Sequence, residues 1–411
     1  AYNLALNAST GTITNAVTFS NTGTLALGAS TGTLTFNGGL TATAPSASTL
    51  KGTITSSNDP ITFGSITLGA HTTINTVAVD NAADLIIGAV TGATYNLTLT
   101  TGGVAGAEIA GTSVSGVGTL TIGNSGGTTF SGTVGATTVT LTNTTGTIAF
   151  NGALTASTLS TAAQAYNVAL NASTGTITNA VTFSNTGTVT LGTSGGTLAF
   201  TGGLTATAPS GITVAGTMTA AGTGVLNLGA PVTVSANATI GGTSTGNITL
   251  GAATLADGVT LTVGTGIANA ISLSSVTGTA SGTSSNLTIN TTGAVTVSGA
   301  IGTDIGTITI TNSGGTTFSG AVDAATVTIT STSLNNAVTF NGNLTLSSGL
   351  TVGAGAAAAD RSRAEVPGEL HRRPLRLEER RRQRGQVSDR YQHLRCNNYT
   401  LHFAAVPRLL L

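Results

Sequence analysis

AYNVALNASTGTITNAVTFSNTGT occupies residues 165–188, and AYNLALNASTGTITNAVTFSNTGT occupies residues 1–24. Twenty-three of the 24 letters agree, the exception being Leu4 against Val168. The likeness runs on: residues 1–46 and 165–210 agree at 39 of 46 positions, and none of the seven changes adds a charge. A second pair, GTLTIGNSGGTTFSGTVGATTVTLT (118–142) and GTITITNSGGTTFSGAVDAATVTIT (306–330), agrees at 19 of 25 positions. The first pair is offset by 164 residues and the second by 188, so 24 extra residues separate the later landmarks. A closed globular core rarely absorbs such an insertion. A solenoid does, because each coil touches only its neighbours. The reading is of a repetitive body over 1–359, made of a long repeat 1–164 and its continuation 165–359 with about one extra coil.

Within the text the period is two. Val181-Thr182-Phe183, Val189-Thr190-Leu191 and Leu198-Ala199-Phe200 alternate large apolar residues with small or hydroxyl ones, which puts the apolar set on one face of a strand. Thr and Val favour pleated backbone. Asn185-Thr186-Gly187 and Thr193-Ser194-Gly195-Gly196 supply turns between the runs. Tandem immunoglobulin-like sandwiches demand a larger aromatic core, and Trp is absent. A membrane barrel demands strands of about ten residues and aromatic girdles. A right-handed parallel β-helix of roughly 20-residue coils fits best, the hand resting on the crossover rule. The Phe spacings 19 to 36, 130 to 150, 183 to 200 and 318 to 340 fit that coil loosely. About 18 rungs at about 4.8 Å each make a rod of about 85 Å.

Composition points the same way. Of the 411 residues 6% are charged and 58 are Gly. Residues 1–359 hold one Lys (Lys51), no Arg, one His (His71) and seven acids: Asp59, Asp80, Asp84, Glu108, Asp257, Asp304 and Asp323. That leaves a net charge of −6 on the body. A low charge with a mean hydropathy of +0.33 is the opposite of a disordered chain. The body has no Cys and therefore no disulfide. No run approaches the roughly 18 apolar residues of a membrane span. Ala1 stands where an initiator Met is expected, and no basic-then-apolar signal segment follows. The chain reads as a fragment or as a mature form without its leader.

DPITFGSITLG (59–69), GGTTFSGTVGATTVTLT (126–142) and AVTFNGNLTLSSGLTVG (337–353) resemble the β-strand repeats of the filamentous-haemagglutinin-like exoproteins and autotransporter passengers of bacteria. The resemblance covers residues 1 to about 359 and implies a secreted β-helical adhesin, exported through an outer-membrane pore and held at the cell surface. Its partners would then be a glycan, a host or environmental surface, or another copy of itself. The amino-terminal secretion domain and translocator barrel of that family are not seen in these residues.

Chemistry is sparse. Glycoside hydrolysis needs two carboxylates flanking a bond. The nearest pair is Asp80 and Asp84, and one-coil stacking would bring Asp59, Asp80 and His71 together. Asp beside Asn and Ala is equally ordinary turn chemistry, and Lys51 is the one cation available to stabilise developing charge. No calcium-binding nonapeptide, zinc spacing or phosphate loop is found. The expectation is a non-enzyme without catalytic, metal or cofactor residues, a polysaccharide-acting β-helix enzyme being the least favoured alternative. Sequons such as Asn96-Leu97-Thr98 follow from composition alone. The main alternative is ice binding, since Thr98-Leu99-Thr100, Thr138-Val139-Thr140, Thr140-Leu141-Thr142, Thr307-Ile308-Thr309 and Thr326-Val327-Thr328 are the T-x-T units of a threonine ladder. Their spacing along the chain wanders, which argues against strict register.

At Asp360 the composition changes. Residues 360–411 hold all 12 Arg, six acids, three of the four His and Cys396, with two Gly in 52 residues. RRPLRLEERRRQR is either a basic patch suited to nucleic acid or membrane surfaces, or text read out of frame; the abrupt boundary favours the second. No nucleic acid is expected at the body. The segment is expected to be mostly disordered, with at most a short helix near 375–384.

Overall fold

A computed structural model of the chain describes residues 1–80, 83–333, 336–353 and 399–402, the last four as backbone. The short alternating runs form a single-chain parallel β-solenoid, and no helix occurs among the described residues. Each coil has three strand positions. On face I, Leu25, Ser48, Ile66, Val90 and Val114 stack on successive coils. On face II, Leu34, Ile54, Ile74, Leu99 and Ile122 do so. On face III, one inward column runs unbroken from Val17 through Leu40, Ile61 and Leu85 to Leu344, sixteen residues on sixteen coils.

The coils average nearer 22 residues than 20, so the rod has about 16 turns rather than 18 and is roughly 75 Å long at about 4.8 Å per rung. Coil length is not constant. Ser48 and Ile66 are 18 residues apart, and Val263 and Ile289 are 26 apart, yet each pair sits in register. The difference is absorbed in the corners. The Phe spacings divide accordingly. Phe130 and Phe150 are one-coil partners stacked at 5.7 Å, and Phe318 and Phe340 at 4.9 Å. The 17-residue spacing is two-thirds of a coil: Phe19 on face III meets Phe36 on face II edge-on across the interior, at 6.3 Å and 82°.

The repeated text does not return to the same face. Leu4 pairs with Leu25 on face I, whereas its counterpart Val168 lies between Ile148 and Val189 on face III. In the second pair, Leu120 lies on face II and its counterpart Ile308 on face I. Both repeats are thus displaced by the same single face. The offset of 164 residues is seven and two-thirds coils and that of 188 is eight and two-thirds, a difference of one coil. The physical reason is that the three sides are alike: a strand of about four residues, an inward apolar pair and a polar corner. Text that specifies one side and one corner serves on any of the three.

The corners need special backbone. In Ala47–Ser56 the strand bends from face I to face II at Gly52, with φ of 67°, and a Cβ there would strike the carbonyl oxygens of Ala29 and Gly32. Its counterpart Gly216 (φ 73°) bends Gly211–Ala220 from face III to face I against the carbonyls of Thr193 and Gly196. Inside, one continuous core of Leu, Ile, Val and Phe runs the length of the rod. Its apolar area leaves water at roughly 25 cal/mol per Å².

Polar side chains also turn inward at corners. Ser56, Thr76, Thr101, Ser125 and Thr144 are buried on successive coils, and Thr76 Oγ1 donates to Ala83 O at 2.6 Å as Thr101 Oγ1 does to Ala107 O. The corner carbonyls thus give these buried hydroxyls an acceptor, in addition to backbone donors such as the Gly126 N–H on Ala107 O at 2.8 Å. Of the Arg-rich tail, Tyr399–His402 forms a strand antiparallel to Ala337–Phe340. The helix expected near 375–384 lies outside the described residues.

Candidate binding surface

The outward positions are where the molecule can act on anything else. On face I, Thr174, Thr197, Thr217, Thr239, Thr262, Thr288, Thr309, Thr328 and Thr351 pair in sequence, nine threonines on nine successive coils. On face II the first half carries a matching column of Thr10, Thr33, Thr53, Thr73, Thr98, Thr121 and Thr140, ending at Ser160. The columns change face where the repeated text restarts, because Thr10 and Thr174 are the same letter of it. The wandering spacing of T-x-T along the chain therefore does not break register, since the spare residues lie in the corners. Thr307-x-Thr309 and Thr326-x-Thr328 are in-register rows, with Thr307 opposite Thr326 and Thr309 opposite Thr328.

These columns offer hydroxyls and methyls about 4.8 Å apart along the rod, with about 6.6 Å between alternate residues along a strand. No column member carries a charge. Three rows of face I and face II open with Asn in place of Thr: Asn96-Leu97-Thr98, Asn237-Ala238-Thr239 and Asn286-Leu287-Thr288. Each Asn Oδ1 accepts the backbone N–H of the residue one coil on: Thr119 at 2.9 Å, Thr260 at 2.8 Å and Thr307 at 2.9 Å. In these rows the N-x-T ascribed to composition is a clip between coils; Asn3 and Asn167 make the same clip to Thr24 and Thr188 at 2.8 Å without that pattern.

The acids do not form a catalytic pair with His71. Asp59 and Asp80 share the corner between faces II and III on successive coils, where Asp80 Oδ2 accepts from Asn58 Nδ2 at 2.8 Å. Asp84 Oδ1 accepts from the Glu108 backbone N–H at 2.9 Å. His71 lies near the opposite edge of face II. Its Nδ1 accepts the Asn96 N–H at 3.0 Å, and its ring meets Tyr95 edge-on at 5.7 Å. Four residues of extended strand, about 13 Å, lie between His71 and the end of its strand at Asn75, before the corner that holds Asp80 begins. Beside His71 is a shallow open groove of about 350 Å³ lined by Thr31, Gly52, Thr53, Thr73, Asn96 and Thr98 among others. Among the described residues no three of His, Cys, Asp and Glu gather as a metal set. Among the described residues no helix is long and apolar enough to cross a membrane.

Fold and surface together define a parallel β-solenoid with threonine-lined outer faces. Compared with known proteins, the chain matches no family model, no curated protein and no solved structure.

Proposed function

We propose that this chain is a non-catalytic rod of a bacterial cell surface, secreted and held at the outer membrane, whose threonine-lined faces mediate attachment or aggregation. The observation that carries the reading is the uncharged column of nine threonines in register on face I. Such a face binds extended, hydroxyl-rich partners such as glycans through many weak, equally spaced contacts, and repetition converts them into avidity. Beads coated with the protein should adhere to glycan-bearing surfaces, and Thr288→Lys with Thr309→Lys should weaken that adhesion. Adhesion equal to that of uncoated beads, across a broad glycan panel and whole cells, would sink the reading.

Ice binding is the second reading, and the same register favours it, because a regular Thr array can hold water in an ordered layer. Thermal hysteresis and recrystallisation assays decide between the two. Activity lost in the same double-Lys variant supports ice binding; none at high concentration excludes it.

A further inference from the structure

Every basic side chain of residues 1–353 stands at one corner of the rod. Lys51 is the only Lys or Arg there and His71 the only His, and they lie between faces I and II on successive coils. The body carries a net charge of −6, yet the acids of these two coils, Asp59 and Asp80, sit at the far corner beyond face II. Among the described residues no carboxylate pairs with Lys51.

The same corner is uneven in length. It takes residues 28–32 on one coil, 51–52 on the next and 69–72 on the one after, between partners that stay in register. The short turn recesses the middle coil, and the groove of about 350 Å³ runs past it, lined by Gly52 and Thr53 with Thr31, His71 and Asn96 beside them. His71 is held in place by its neighbours: Nδ1 accepts the Asn96 N–H at 3.0 Å, and Tyr95 meets the ring edge-on at 5.7 Å. With Nδ1 accepting, the ring carries its proton on Nε2, which is a donor. Asn96 spends its Oδ1 on the Thr119 N–H at 2.9 Å, which leaves its own amide N–H groups to the groove. The Lys51 stem lies along Gly69, where a Cβ would stand 2.7 Å from Lys51 Cε. Glycine at 69 therefore admits the stem and sets the ammonium over the coil that bears His71.

We infer that this corner binds a carboxylate-bearing sugar at the end of a glycan. Lys51 supplies the charge, and His71, Asn96 and the Thr53 hydroxyl supply donors to the carboxylate and the ring hydroxyls. The groove has the volume of a small ligand site, which is about 300 Å³ or more. One permanent cation matches one carboxylate. A polyanion would bring its further charges over a rod of net charge −6 and be repelled. The inference rests on the reading that the rod binds glycans, but at a place separate from the face I threonine column, which begins at Thr174.

The test titrates the full chain with lactose, sialyllactose and a disaccharide ending in glucuronic acid, followed by NMR. The parent is compared with Lys51→Met and with Lys51→Met plus Thr233→Lys. Met keeps the stem over Gly69 without its charge, so this variant should melt as the parent does. Thr233 is exposed on face III, so Lys there restores the net charge away from the groove. The parent should bind one or both acidic probes more tightly than lactose, and the probe preferred identifies the acid. Both variants should lose that preference, a change of about fivefold. The Arg-rich tail is present in every chain, so its attraction for acids cancels in the comparison. Equal affinity for acidic and neutral probes, a preference that survives Lys51→Met, or one restored by Thr233→Lys overturns this site and leaves the glycan reading standing. Binding of none of the three also overturns the site, and the bead assay then shows whether the glycan reading falls with it.

Discussion

Tyr2 and Tyr166 are the same letter of the same repeated text, yet Tyr2 is 67% exposed and Tyr166 is 1% exposed. The difference is one coil. Tyr166 lies under the corner after Leu154–Thr161, where its hydroxyl donates to Leu141 O and accepts the Ala162 N–H, both at 3.0 Å. Sequence specified the side chain; position in the stack decided its environment.

Burial pushes the Tyr166 phenol up from 10.0 to about 12, against the opposing hydrogen bond from Ala162. The folded state therefore holds this proton more tightly than the unfolded state. The stability it contributes is complete below pH 10 and is lost as pH rises from about 10 to about 12. Chemical denaturation midpoints measured across that range should fall, and the Tyr166→Phe variant should lack this component. Removing the hydroxyl also removes its hydrogen bond to Leu141 O, at about 1 kcal/mol below pH 10, while the Ala162 N–H keeps Leu141 O as a partner at 2.9 Å.

Corner glycines should be unequal. Gly216 combines a φ of 73° with backbone oxygens where a Cβ would go, whereas Gly222 has a φ of 61° and open space. Gly222→Ala should cost about 1–2 kcal/mol from the left-handed backbone alone. Gly216→Ala should cost clearly more, because backbone must also shift. Equal melting temperatures for the two variants would remove the steric argument.

Phe318 and Phe340 stack nearly parallel at 4.9 Å and 4°. Phe318→Ala should destabilise its region by about 3–5 kcal/mol. A double-mutant cycle with Phe340→Ala should return about 0.5–1.5 kcal/mol of coupling. Hydrogen exchange should show the damage confined to neighbouring coils, since distant coils share no contacts with the site.

Deleting residues 175–197 removes one coil and brings Leu198 into the place of Gly175, its partner one coil earlier. The shortened chain should keep its β circular-dichroism signature and cooperative melting. Deleting twelve residues from the same point instead breaks the register, and that chain should lose protease resistance. If both deletions behave alike, register between coils is not what holds the rod.

The alternation in Val189-Thr190-Leu191 made the inward and outward sets of each strand legible, because a pleated strand has a strict period of two. What stacks on what was less legible. The pair Phe130 and Phe150 was visible as a coil length, but Phe183 and Phe200 have a similar spacing and lie on different faces. Corners of variable length hide the register from any count along the chain. For the same reason the T-x-T units looked irregular, although Thr262, Thr288, Thr309 and Thr328 stand in one column. The His71 and Asp80 pairing failed likewise, since one-coil stacking was assumed for residues at opposite edges of a face.

The sequence by itself determined that this protein is a repetitive parallel solenoid: short alternating strands, charge-poor surfaces and a twice-written repeat leave few other ways to bury the apolar set. Only the tertiary structure decided that the repeat restarts one face round the rod and that the threonines align. Those depend on how many residues each corner takes up, and a corner's length is settled by the coils stacked above and below it.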